Sequence, residues 1–134
     1  MARNLIYTVN TTGAAAPIGS TVPVGSIIRR YGKCISAEGE SIVLLEPGYY
    51  LVTMTATATA AAVGNVALGI QQDGVAVPGA TATETVATAD TEYVNLSVSS
   101  IVRVRCCGNA RLTVVVAGTT EPTITNLAIG VVRV

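Results

Sequence analysis

The side chains able to do chemistry are few. Cys34, Cys106 and Cys107 are the only thiols, Lys33 is the only lysine, and there is no histidine. Nucleophilic catalysis needs a Ser, Cys or Thr beside a base. Without histidine, the commonest general base and the commonest metal ligand are both missing. Cys106 and Cys107 could form a redox pair, although packed or strand-end thiols are the simpler reading. An odd count with one adjacent pair makes a poor disulfide framework, and the spacings do not suit zinc. Free thiols in a reducing cytosol are therefore expected. A bridge from Cys34 to one of the pair, within or between chains, is the alternative. Glu38, Glu40 and Glu46 could act as general acids or calcium ligands, but calcium wants several clustered oxygens and no Asp-rich loop is present. No catalytic residue, cofactor site or metal site is expected, and the chain is not expected to be an enzyme.

The arginines are more informative. Arg103 and Arg105 alternate with Val102 and Val104, which places both guanidinium groups on one face of a strand. They suit an anionic glycan or a partner's carboxylates. Ion pairs with Glu84, Glu92 or Glu121, within a chain or between chains, are the simpler reading. Arg29 and Arg30 form a second basic pair. A sugar site would draw on exposed aromatic residues, of which Tyr31 and Tyr93 are the candidates.

The elements that must position these groups follow from composition. The chain has 134 residues, the size of one domain. Half its residues are hydrophobic, yet the only aromatics are five tyrosines. Lys and Arg number eight, as do Asp and Glu, so the formal net charge is zero. A neutral chain with one lysine lacks the basic surface that nucleic acid requires, and the apolar content is too high for disorder. The opening MARNLIYTVNTTG has no small-residue cleavage site, so no signal peptide is expected. No run of about 18 apolar residues predicts a transmembrane helix. The most apolar segment, 60–70, is too short and is interrupted by Gly64 and Asn65.

Turn signals recur at short intervals, among them Pro47-Gly48, Gly64-Asn65, Asp73-Gly74, Pro78-Gly79 and Gly108-Asn109. Between them lie runs rich in Val, Ile, Thr, Tyr and Leu, residues that fit a pleated surface. No segment keeps a helical apolar period. The pattern predicts an all-β sandwich or barrel of about eight to ten strands. Strands are expected at 5–9, 26–31, 41–45, 49–59, 65–72, 75–77, 93–98, 101–106, 111–117 and 123–134, with 80–89 either a strand or a surface loop. Asp73-Gly74 supplies the positive φ of a tight hairpin. The run 49–59 alternates most cleanly. Tyr50, Val52, Met54, Ala56 and Ala58 share one face, with Tyr49, Leu51, Thr53, Thr55, Thr57 and Thr59 opposite. An ordinary solvent face would carry Lys and Glu. Charged residues are 12% of this chain, against about 25% in typical soluble domains. So sparse a charge coat implies that part of the surface is covered in an oligomer.

Several motifs then line up in order. The run Pro47-Gly48-Tyr49-Tyr50-Leu51-Val52 resembles the G-x-Y-x-V strand of the C1q/tumour-necrosis-factor-like jelly roll. Ile129-Gly130-Val131-Val132 resembles that family's closing strand. The segments 73–80 and 101–107 are similar to a bacterial and bacteriophage branch that includes head-fibre or decoration-like proteins and the heads of collagen-like exosporium proteins. The resemblance spans about 22–134. It implies a ten-stranded jelly roll at 26–134 that assembles as a homotrimer, with residues 1–25 an anchoring arm or outer strands. Tyr50 and Val52 would sit in the core. Tyr49, Leu51, Thr53 and Thr55 would form the trimer interface, and Leu51 and Thr53 would look toward the three-fold axis. The chain lacks a collagen-like Gly-X-Y stalk, which favours a phage particle component. The implied function is a non-enzymatic fibre-head or capsid-decoration module, bound to a capsid or other particle protein. It would lie on the virion surface after assembly in the host cytoplasm. The alternative is a receptor- or glycan-binding tip of a fibre or bacterial adhesin, with a host-surface glycan held by loops near Gly64-Asn65, 78–88 and Gly108-Asn109. Neither reading involves a membrane.

Overall fold

A computed structural model describes residues 4–13, 15–38, 40–105 and 108–134. Eleven strands, β1 to β11, follow one another: Leu5–Asn10, Thr21–Val22, Ser26–Tyr31, Ile35–Glu38, Ser41–Leu44, Gly48–Ala60, Gly64–Gln72, Val75–Val86, Val94–Val104, Ala110–Gly118 and Pro122–Arg133. They form two antiparallel sheets. The five-stranded sheet has the order β3-β1-β11-β6-β9. The six-stranded sheet has the order β4-β5-β10-β7-β8, with the two-residue β2 also pairing with β10. The expected all-β sandwich is therefore present, and Leu5–Asn10 is its second strand in the five-stranded sheet.

The thirteen-residue β6 organises the core. Tyr50, Val52, Met54, Ala56, Ala58 and Ala60 point inward and are buried, as the period of two requires. They meet Val66, Leu68, Ile70, Leu112 and Val114 from the facing sheet. In β11 the inward residues are Ile124, Leu127, Ile129 and Val131. The step of three between the first two is possible because the ladder shifts between Ile124 and Asn126, leaving Thr125 as an extra residue. A bulge of this kind restores alternation where the apolar spacing slips.

Asp73 and Gly74 both have positive φ, 52° and 84°, as a type I′ turn demands, and they join β7 to β8. Three features differ from the expectation. The segment expected as two strands at 93–98 and 101–106 is one strand, β9, because the uninterrupted β6 offers a partner to each residue from Val94 to Val104. The short strand at 75–77 and the ambiguous 80–89 belong to a single β8. Pro78 and Gly79 sit where its ladder to β7 is interrupted between Gly69 and Gln71, a place an edge strand tolerates proline. Short β2 and β4 lack any alternation long enough to read.

Two positions test the local physics. Thr8 is fully buried and its hydroxyl has no hydrogen-bond partner. Thr8→Val removes that unpaired group at nearly constant volume and is expected to raise stability by about 1 kcal/mol in urea unfolding. Gly25 has φ +89°, and a Cβ there would collide with the Val9 carbonyl. Gly25→Ala should lower stability by roughly 1–3 kcal/mol in the same assay.

Candidate functional site

The outward face of the five-stranded sheet is built from β1, β3, β6, β9 and β11. Residues directly opposite on paired strands share a face, so the register defines its rungs. One rung runs Tyr31, Leu5, Val132, Leu51, Ile101 across all five strands. Tyr31 and Ile101 are each 63% exposed and Val132 43%. The next rung is Arg29, Tyr7, Gly130, Thr53, Ser99, followed by Ser26, Val9, Ala128, Thr55, Ser97. Beyond the apolar rung, Tyr49 pairs with Arg103, whose guanidinium lies 5.8 Å from the ring centroid. These rungs hold two arginines and no carboxylate.

β1 makes the point most sharply. It turns Ile6, Thr8 and Asn10 to the interior and shows Leu5, Tyr7 and Val9 to the outside. Asn10 is satisfied, its amide donating to the Pro23 carbonyl at 2.8 Å. Two of its three inward residues are thus polar, while all three outward ones are large apolar or aromatic. Tyr7 lies beside Gly130, 3.9 Å from where a Cβ would stand. On the outward face of the six-stranded sheet the corresponding rungs read Ser41, Thr113, Gln71, then Val115, Gly69, Thr81, then Ala117, Ala67, Thr83. None of these residues is an exposed large hydrophobic.

The sequence-derived candidates fall as follows. Tyr49, Leu51, Thr53 and Thr55 share this outward face, Leu51 being half-buried and the other three exposed. Arg103 projects from the same face. Arg105 follows the end of β9, and both are exposed. Neither has a carboxylate partner among the described residues. Ion pairs with Glu84, Glu92 or Glu121 inside one chain are ruled out by position. Glu84 lies opposite Val66, Glu92 just before β9 and Glu121 just before β11, all at the far end of the strands from Arg103. Tyr31 and Tyr93 are likewise at opposite ends. The loops assigned to a binding tip do not gather at one end either. Gly64 pairs with Val86 at one end, whereas Gly108-Asn109 precedes Ala110, which pairs with Leu44 at the other. Sequence reasoning missed Leu5 and Tyr7, for which the signal was the outward apolar alternation of β1, and Val132 and Ile101, which only the strand register brings to this face.

Two carboxylates are held in ion pairs. Glu38 pairs with Arg111 at 3.2 Å and Glu46 with Arg133 at 3.0 Å. Among the described residues no group of three His, Cys, Asp or Glu converges on a metal position. Cys34 is a free, buried thiol, with its sulfur 3.7 Å from Arg133 Nη1 and its amide donating to Asn4 Oδ1 at 3.0 Å. Cys106 and Cys107, and hence the bridge considered for them, lie outside the described residues. Tyr50 donates its hydroxyl to the Glu46 carbonyl at 2.6 Å. Burial pushes the Cys34 thiol above its ordinary value, with Glu46 adding to the effect and Arg133 opposing it. Burial likewise raises Tyr50.

No protein-family model matches the chain, and no curated protein matches it by sequence. Solved structures do. The Eiger TNF of S. frugiperda superposes with a TM-score of 0.74 at 10% identity, covering 100% of this chain and 94% of that one. The globular domain of zebrafish complement 1qA gives 0.70 at 8% identity, covering 98% and 97%. The phage PRD1 vertex protein P5 gives 0.65 at 12% identity, covering 100% and 99%. The fold is that of the TNF/C1q-like jelly roll.

A thiol and a phenol are neutral when protonated. With both held above their unfolded values, their stabilising contribution is complete below the unfolded pKa and fades as pH rises through the folded one. Melting temperature should therefore decline from about pH 9 upward, and Cys34→Ala should decline less steeply than the wild type over that window. Parallel slopes would show that Cys34 ionises as freely in the folded state as in the unfolded.

Proposed function

We propose that this chain is a non-enzymatic structural protein that assembles as a homotrimer through the outward face of its five-stranded sheet. It serves as a fibre-head or decoration module on a bacteriophage or phage-like particle, displayed on the virion after assembly in the host cytoplasm. The observation that carries the assembly is the apolar rung Tyr31, Leu5, Val132, Leu51, Ile101, with no carboxylate on the three rungs. A face of this kind is costly in water and is covered when copies of the chain close on one another. Each large apolar side chain moved out of water contributes roughly 1.5–3 kcal/mol. An exposed ion pair contributes about 1 kcal/mol at most. Burial of this rung in each subunit of a ring therefore dominates any charge pairing at its margin. The particle assignment draws on the likeness to the PRD1 vertex protein, together with the sequence motifs. A receptor- or glycan-binding tip has no such support, because its candidate loops stand at opposite ends of the sandwich.

Native mass in solution tests the assembly. The expected mass is that of three chains, unchanged by reductant. Leu51→Asp places a carboxylate in the centre of the apolar rung and is expected to yield monomers. Thr83→Asp, exposed on the opposite sheet, is expected to leave three chains together. A monomeric wild type overturns the reading, and so does dissociation by both variants alike.

A further inference from the structure

Charge is distributed along the strands as unevenly as apolarity is across the sheets. Turns at 32–34, 45–47 and 73–74 mark one end, where Ile35 pairs with Leu44, Gly48 with Val104 and Gln72 with Val75. The opposite end is marked by Ala60 on Pro122, Ala58 on Val94 and Gly64 on Val86. Of the eight Lys and Arg residues, Arg3 lies outside the described residues and the other seven all fall in the first half. Glu84, Asp90, Glu92 and Glu121 fall in the second, which holds no Lys or Arg among the described residues. Glu40, in the turn between β4 and β5, is exposed and has no cation partner among the described residues, but the other carboxylates of the first half are engaged. Glu38 and Glu46 are salt-bridged, and Asp73 Oδ1 accepts the Arg111 amide at 3.0 Å. Lys33, Arg103 and Arg105 are exposed and have no carboxylate partner among the described residues.

The two halves are far enough apart to act separately. Thirteen residues of β6 span about 40 Å at roughly 3.3 Å each, several times the ~8 Å screening length in physiological salt. A partner near one end feels the charge of that end alone. The basic end also exposes large apolar groups: Val75 at 70%, Val134 at 71% and Leu45 at 43%. Arginine is enriched at protein interfaces, and their buried centres are apolar, whereas nucleic acid binding rests on phosphate neutralisation. A second copy docked end to end would make a contact that never closes, and would build filaments.

We infer that the basic end of the sandwich is a docking surface for an acidic protein surface. Lys33 and Arg105 meet carboxylates, and Leu45, Val75 and Val134 meet apolar side chains between them. The inference goes beyond the proposed trimer and applies to one chain or three, since none of these five residues stands on the three rungs of the trimer face, and Arg103, which projects from that face beside Tyr49, is not among them.

The test is fluorescence anisotropy of the intact chain with labelled poly-L-glutamate, a glutamate–tyrosine copolymer of equal length, and oligothymidylate of equal charge. The copolymer is expected to bind tightest, and its affinity to fall with added salt. The Lys33→Ser/Arg105→Ser variant should bind both polypeptides about tenfold more weakly at low salt. Val75→Ser/Val134→Ser should weaken only the copolymer, and Glu84→Gln/Glu92→Gln should weaken neither. Unchanged melting temperatures establish that the variants are folded. Failure of both polypeptides to bind overturns the inference, as does equal binding by wild type and Lys33→Ser/Arg105→Ser. Tighter binding of oligothymidylate than of the copolymer overturns it in favour of nucleic acid. Salt-sensitive growth of native mass without any probe overturns it in favour of a second copy. Loss of the trimer by Leu51→Asp leaves each of these outcomes readable.

Discussion

The period of two in β6 is the constraint to which the other elements answer. Thirteen residues alternate without a break, and each neighbour in the sheet is registered against them. A side chain's face in β9 or β11 is therefore decided by its partner in β6, and β1 and β3 inherit the assignment through β11. The interior is sealed by Tyr50, Val52 and Met54 because those positions have no alternative. The same rule pushes Leu51, Val132 and Ile101 into line on the outside.

Two asymmetries result, and they are orthogonal. Across the sandwich, one outward face carries a rung of large apolar side chains and the other carries mostly small ones. Along the strands, the cations of the described residues gather in one half, and four carboxylates lie in the other. The first is short-ranged and depends on area. The second acts at a distance and yields to salt. The proposed contact with copies of the chain uses the side of the body, and the proposed contact with an acidic partner uses its end.

Much of this was legible from the chain. The clean alternation of 49–59 located the central strand and both of its faces, and Asp73-Gly74 located the hairpin by its turn chemistry. Where reading failed, the cause was a neighbour. Ser99 and Ser100 look like a break until β6 pairs with them, and Pro78-Gly79 looks like a turn until β8 is seen to be an edge strand. Of the proposed interface, Tyr49, Leu51, Thr53 and Thr55 were accessible from a single strand. Tyr31, Leu5, Val132 and Ile101 belong to the same rung only through long-range register, which local pattern does not encode. The end-to-end charge division was hidden for the same reason: Arg29 and Arg103 are distant in sequence and share a half of the molecule only once the strands are paired.

The extra residue at Thr125 has a consequence for how such a sequence can change over generations. It offsets the slipped spacing between Ile124 and Leu127. A one-codon deletion there would leave a straighter strand with one of its two segments turned inside out. A compensating insertion elsewhere in β11 would repair the total length but not the segment between the two events. Descendants of this chain should therefore vary freely in which small polar residue occupies position 125 while keeping the number of residues between Ile124 and Leu127 fixed.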